Sequence, residues 1–297
     1  MRRLNVHPNN FTFSAILHAC ANTFVIFHGL QVHALCVKHG FNFDVYVGSA
    51  LLDMYAKCGE MINAKEVFDE MPERNLVSWN SMIVGYLQNE CFDEAINCFI
   101  EVLREATLKP DQVSFSSFFC ACGNLCDAVI GRQGHGVAVK LGLVSLPYVN
   151  NSLMDMYCRC GSLCDANSLF GSAGVKDVVT WNVMIMGCVQ NHNFEDACKY
   201  FWVMRQEGVL HDEASYSSAL HAVSCIAVLL RGTLIHGQII KTGFSRNICV
   251  SSSLITMYSK CGNLEDALRA FRESEERNVV SWNSIISACN SMAVLAK

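Results

Sequence analysis

Apolar residues along this 297-residue chain recur at helical spacing. Val47, Ala50, Leu51, Met54 and Tyr55 fall at i, i+3, i+4, i+7 and i+8, one stripe of a helix. Gly59 follows, and glycine takes the left-handed conformation at a helix C-terminus at least cost, so the stripe predicts a helix ending just before it. An alanine is followed four residues later by phenylalanine at Ala64–Phe68, Ala95–Phe99, Ala166–Phe170, Ala197–Phe201 and Ala267–Phe271. Residues at i and i+4 share a helix face, and the small member lets a neighbouring helix approach. The pattern predicts helix pairs joined by tight turns, none large enough to bury a core alone. Stacking must supply the core, which makes the fold an all-α solenoid.

The stack has a longer period. Trp79-Asn80, Trp181-Asn182 and Trp282-Asn283 are separated by 102 and then 101 residues. Cys58, Cys160 and Cys261 keep those separations, as do His33, His135 and His236, each followed five residues later by Lys38, Lys140 or Lys241. Units of 35, 31 and 35 or 36 residues rotate within this cycle: 10–44, 45–75, 76–111, 112–146, 147–177, 178–212, 213–247 and 248–278, then a truncated unit at 279–297. Residues 1–9 read as the tail of a truncated repeat, since Met1–Asn9 aligns without gaps to Met204–Asp212. Starting and stopping in mid-repeat is the expectation for a fragment of a longer protein or a truncated gene model, because solenoids need polar capping repeats.

Composition fits packed helices: 52% hydrophobic, 16% charged and only four prolines, unlike a disordered chain. Seventeen cysteines are an odd number, in neither a secreted scaffold's spacing nor paired CxxC knuckles, and read as small apolar fillers in a reducing compartment. The longest uncharged stretch, Phe11–Val37, is broken by His18, Asn22, His28, Gln31 and His33, which argues against a membrane helix. The opening "MRRLNVHPNN" carries no signal or transit pattern. A net charge of −5 weighs against nucleic acid, whose binders usually carry a basic excess.

Three candidate chemistries reduce to structure. Cys58, Cys160 and Cys261 close the segments "DMYAKCG", "DMYCRCG" and "TMYSKCG", each before a glycine. A metal site needs three or four ligands converging, and positions one cycle apart cannot converge, so these thiols are expected to pack. The same argument gives His33, His135 and His236 a structural role on the second helix of their units. "HDE" at His211–Glu213 imitates a zinc-deaminase motif, but no PCxxC follows to complete the ligand set. Neither a catalytic residue, a metal nor a cofactor is expected. Lys57, Arg159 and Lys260 precede the cysteines and have two open readings: favourable charge at a helix C-terminus, or contact with phosphate. Glu66, Glu70, Glu94 and Glu195 fall on second helices, the expected convex side, so that the groove itself escapes the acidic balance.

The segments "NLVSWNSMIVGYLQNECFDEAINCF", "LLDMYAKCGEMINAKEVFDEMPERN" and "FTFSAILHACAN…GLQVHALCVKHGF" resemble plant pentatricopeptide repeat (PPR) proteins of the class that cycles long, short and standard motifs (the PLS class). The resemblance covers essentially the whole chain. It implies a right-handed α-α superhelix that binds single-stranded RNA, one base per repeat, read by two or three side chains. In the family the fifth residue of a motif and its last residue read the base. Carried onto this chain, Ser49 with Asn75 is associated with adenine, Asn80 with Asp111 with uracil, Asn151 with Asp177 and Asn182 with Asp212 again with uracil, and Ser252 with Asn278 with adenine. Asn283 lacks its loop partner and suggests a pyrimidine. The long motifs offer Ser14/Asp44, Ser116/Leu146 and Ser217/Asn247, which predict poorly. The second residue of each motif sandwiches bases in the family: Val77, Val113 and Val179 match, Tyr46 and Tyr148 stack more strongly, and Ala214 and Cys249 are weak platforms.

The implied target is 5′-N-A-U-N-U-U-N-A-3′ followed by a pyrimidine, with the array parallel to the RNA. The resemblance further implies a non-enzymatic recognition part of an RNA-processing factor in mitochondria or chloroplasts, most often for cytidine-to-uridine editing. Its partners are organellar RNA and editing-complex proteins, or a deaminase supplied in trans or by C-terminal domains. The other classes in view are a helical scaffold for proteins and an inactive repeat fragment. The fifth position separates them: it holds serine in five units and asparagine in four, a restriction a scaffold has no reason to keep.

Overall fold

The computed structural model describes residues 7–274 and 276–295, so most of the expected 1–9 repeat tail lies outside the described residues. The chain divides into two compact units, Met1–Met156 and Tyr157–Lys297. The first holds α1 (Asn10–Thr23), α2 (Ile26–Lys38), α3 (Val45–Lys57), α4 (Met61–Glu70), α5 (Leu76–Gln88), α6 (Phe92–Arg104), α7 (Gln112–Asn124), α8 (Ala128–Lys140) and most of α9 (Pro147–Arg159). The second continues from the end of α9 with α10 (Leu163–Ser172), α11 (Val178–Gln190), α12 (Phe194–Gln206), α13 (Glu213–Ile226), α14 (Leu229–Thr242), α15 (Ile248–Lys260), α16 (Leu264–Glu273) and α17 (Val279–Leu295). No strand occurs among the described residues, and no described helix is long and apolar enough to cross a membrane. The fold is an all-α helical repeat.

In the first unit α1 packs on α3, α3 on α5 and α5 on α7, while the even-numbered helices form a second layer against them. The second unit repeats this with α11, α13, α15 and α17 in the first layer. The alanines of the Ala/Phe pairs, Ala64, Ala95, Ala166, Ala197 and Ala267, are fully buried, and their phenylalanines are buried with them. Close approach is visible at Gly85, where an added Cβ would stand 2.7 Å from the Ala56 Cβ.

One aromatic junction recurs. Phe68–Trp79, Phe170–Trp181 and Phe271–Trp282 meet edge to face at 4.8 Å between centroids. A cation covers each phenylalanine: Arg74 at 4.7 Å, Lys176 at 5.1 Å and Arg277 at 4.9 Å. Arg74 and Arg277 also donate from Nε to the carbonyls of Phe68 and Phe271 in the last turns of α4 and α16.

The glycine stops are where the hydrophobic stripe puts them. Gly59, Gly161 and Gly262 take φ of +81°, +75° and +75°. The Gly59 and Glu60 amides turn back onto the carbonyls of Ala56 and Tyr55 at 3.1 and 2.9 Å. Cys58 and Cys261 themselves occupy the helix C-cap and are half-buried, so they are not core fillers. The core thiols are others: Cys20, Cys36, Cys122, Cys158, Cys188 and Cys198.

His33 and His236 do hold helices together. Each Nδ1 is hydrogen-bonded to the hydroxyl of a tyrosine on the following helix, Tyr55 at 2.7 Å and Tyr258 at 2.8 Å. His211 is buried and stacked on Phe201 at 3.8 Å between centroids, its Nε2 bonded to the Phe201 carbonyl at 2.8 Å. Among the described residues no group of three or more His, Cys, Asp or Glu could hold a metal ion.

Candidate nucleic-acid interface

The residues singled out from the sequence gather where odd-numbered helices begin. Each odd helix from α3 onward is preceded by the residue closing the previous motif, and where that residue is Asp or Asn it caps the helix. Asp44, Asn75, Asp111, Asp177, Asp212 and Asn247 all accept from backbone amides of the first turn through their side chains, and Asn278 does the same for Ser281 at 2.9 Å. Asp and Asn are strong N-caps in any helix. Their presence at the motif end therefore has a folding reason, which the sequence reading did not credit. What distinguishes the site is the bond that some of these caps make sideways.

Two caps bond to the fifth residue of their own motif in one way. The Asn80 amide donates to Asp111 Oδ1 at 3.1 Å, and the Asn80 carbonyl oxygen accepts from the Ser114 hydroxyl at 2.7 Å. In the second unit Asn182 donates to Asp212 Oδ1 and Oδ2 at 2.9 and 3.0 Å and accepts from Ser215 at 2.6 Å. Each asparagine is thus held with a fixed orientation at the surface. Burial pushes the Asp111 and Asp212 carboxyls up. The hydrogen bonds from Ser114 and Asn80, and from Ser215 and Asn182, outweigh it and hold both below the ordinary carboxylate value. Both are anions at neutral pH, and so acceptors only.

The serine motifs differ. Ser252 donates to Asn278 Oδ1 at 3.1 Å. Ser49 instead donates to the Val45 carbonyl of its own helix at 2.8 Å, while Asn75 caps α5 through Ser78. In the long motifs the Ser14 and Ser217 hydroxyls are buried without a partner, and Ser116 bonds back to Val113 at 3.1 Å. Neither Ser14 nor Ser217 offers its hydroxyl to the surface. Asn151 lies on α9 in the first unit, Asp177 caps α11 in the second, and Asn283 is exposed on α17.

The second residues of the motifs stand out from the surface, from Val113 at 37% exposed to Tyr46 at 70%, with Val77, Tyr148 and Val179 between. In the first unit they wall two clefts. One, of about 530 Å³, is lined by Tyr46, Ser49, Asn75 and Val77 with Phe11, His18, Asp53 and Lys57. The other, of about 350 Å³, is lined by Val77, Asn80, Asp111 and Val113 with Asp53. Phe11, 76% exposed, was missed by sequence reasoning. Its signal was available, because it is the second residue of unit 10–44, in register with Tyr46.

Within each unit, the stack of helix pairs with polar helix starts beside exposed apolar side chains defines a helical-repeat protein. The chain is a pentatricopeptide repeat protein. Models of the PPR repeat family match residues 176–225, and those of the PPR repeat match 49–76, 77–105 and 250–279. A chloroplastic pentatricopeptide repeat-containing protein of Arabidopsis thaliana is 38% identical over 96% of this chain and 35% of its own length. A mitochondrial one from the same plant is 37% identical over 97% of this chain and 37% of its own length. The chain thus spans a little over a third of each of these relatives. The crystal structure of PPR10 in complex with an 18-nt psaJ RNA element shares the fold over the whole chain and 50% of its own, with a TM-score of 0.66 at 15% identity.

Proposed function

We propose that this chain reads single-stranded RNA at one base per repeat, as the recognition part of an organellar RNA-processing factor of the long-short-standard class. The repeats are those set by the sequence register, and each complete one opens at the first residue of an odd-numbered helix. The observation that carries the reading is the sideways Asn–Asp pair, made alike at Asn80–Asp111 and Asn182–Asp212. Helix capping accounts for the aspartate, but it does not account for an asparagine turned to meet it at the surface.

The hydrogen-bond inventory supports the assigned bases. With one amide hydrogen committed to the aspartate, asparagine keeps one donor, and the carboxylate keeps an acceptor for a ring N–H. Uracil presents such an N–H beside carbonyl acceptors. In the Ser252–Asn278 pair the asparagine oxygen is occupied by Ser252 and Ser281, which leaves its amide hydrogens for an acceptor. Adenine N1 is one, with a neighbouring amino group that the serine oxygen can receive. The relatives' chloroplastic and mitochondrial names and the RNA-bound state of PPR10 support an organellar RNA target. Cytidine-to-uridine editing is the processing reaction we assign, with the catalytic step supplied by partners.

Selection from a randomised RNA pool tests this, using the full chain and the Asn182→Ser plus Asp212→Asn variant. The wild type should enrich A-U-N-U-U-N-A within the predicted site. The variant should move preference at one base from uracil toward adenine, by about 1–3 kcal/mol if the contact is good. An unchanged preference would refute the register, and a pool without enrichment would refute sequence-specific binding.

A further inference from the structure

We infer that Asp53 is an affinity-setting residue of the RNA groove, a charge mask that holds the Lys57 ammonium away from the phosphates passing over α3. The inference rests on the RNA-binding reading. Asp53 borders both clefts of the first unit. Its Oδ2 accepts from Lys57 Nζ at 3.0 Å, one helical turn on, and meets His18 Nδ1 from α1 at 3.3 Å. Lys57 Nζ also donates to Asn22 Oδ1 on α1 at 3.3 Å. Both members of the Asp53–Lys57 pair keep only about a quarter of their side-chain surface exposed. An acid one turn N-terminal to a lysine is the favourable orientation for such a pair. The lysine is therefore tied to two neighbours, and its charge is neutralised inside the groove.

The equivalent place in the second unit lacks the acid. Thr256 stands where Asp53 does, with its hydroxyl engaged by the Ser252 carbonyl at 2.9 Å and the Ser284 hydroxyl at 2.8 Å. Lys260, the counterpart of Lys57, is exposed. Its charge reaches across to α13, where it adds to burial in holding His221, the counterpart of His18, below the ordinary imidazole value. One register thus carries a masked lysine on α3 and an open one on α15. The open lysine displaces counterions when RNA binds, and the masked one contributes little until its ion pair opens.

RNA titrations over a range of salt concentrations test the mask, using an oligonucleotide of the predicted sequence, the full chain and four variants. Asp53→Asn should tighten binding by about 1.5-fold to fivefold, the range set by a surface ion pair. It should also steepen the salt dependence by roughly 0.7, the slope of one phosphate contact on a single strand. Thr256→Asp should do the reverse. In the double variant Asp53→Asn plus Lys57→Gln, set against Lys57→Gln alone, the gain should vanish, which separates masking of Lys57 from a general change in groove charge. Wild-type binding with no change in affinity or slope for Asp53→Asn would overturn the mask and leave the RNA reading standing. A gain that survives in the Lys57→Gln background would overturn it too. No binding by any of these proteins would overturn both.

Discussion

Repeats 45–75 and 248–278 carry the same serine–asparagine pair in the same register, yet the structure builds them differently. On α15 the pair is closed, with Ser252 donating to Asn278. On α3 Ser49 has turned back to the Val45 carbonyl. The platforms before them differ as well: Tyr46 is 70% exposed, and its counterpart is the short side chain of Cys249. Two repeats that a letter code treats as identical therefore have opposite strengths. On the proposed reading, the first has the better stacking surface and the looser base-reading pair, and the second has the reverse. On that reading, affinity and base choice are separable properties of one repeat.

Exchanging the platforms gives the largest expected effect. Cys249→Tyr places an exposed ring beside the closed pair and should tighten binding by about 1–3 kcal/mol, the usual worth of a base stacked on an aromatic ring. Tyr46→Ala should weaken binding by a similar amount. Both are read by titrating an oligonucleotide of the predicted sequence, and base preference should not move in either variant. Changes below twofold would mean that the second residue of each motif is not a stacking platform in this chain.

A smaller difference should separate the serines. Ser252→Ala removes a formed hydrogen bond and leaves Asn278 oriented by the Ser281 amide alone, so adenine preference at that base should fall by about 1 kcal/mol. Ser49→Ala removes a hydroxyl already spent on its own helix, where serine competes with the backbone. It should change preference at its base by less than half as much. Pool selection on each variant decides. Equal losses would show that Ser49 leaves Val45 to join Asn75 once RNA is present.

Local spacing was enough to read the fold. An alanine four residues before a phenylalanine can only share its face, and a glycine after an apolar stripe can only end it cheaply, so the buried layer and the stops at Gly59, Gly161 and Gly262 were legible. The site was legible in position more than in state. Register found the residues at the helix starts, but which way a serine hydroxyl turns depends on neighbours far away in sequence. The fifth residues Ser14, Ser49, Ser116, Ser217 and Ser252 consequently end in different states. The cysteines misled for a related reason. Their period showed that they belong to a structural unit, but it could not separate a half-buried C-cap such as Cys58 from a core position such as Cys188.

Where the two regions agree, they should respond alike, and acid provides the gentlest test. His33 pairs with Tyr55 and His236 with Tyr258, at 2.7 and 2.8 Å, with ring centroids 5.7 and 5.6 Å apart. Burial holds both imidazoles below the ordinary histidine value. Glu70 opposes this at His33; Glu273 and Asp266 do so at His236, where Arg269 reinforces it. Each Nδ1 is hydrogen-bonded to a tyrosine hydroxyl, and burial favours the neutral ring in the folded chain. The unfolded chain, with its higher pKa, takes up the proton first. The contribution of each pair is therefore complete above about pH 6.5, is lost as pH falls through that value, and levels off below the lowered native one. Thermal unfolding at pH 7.5 and 5.5 should show a lower Tm in acid. His33→Gln and His236→Gln, which keep an acceptor but do not titrate, should each remove part of that loss. The two parts should match, because the junctions share geometry and partner. A loss removed by one variant and untouched by the other would place the difference between the two regions in their packing, beneath the groove residues to which it is assigned here.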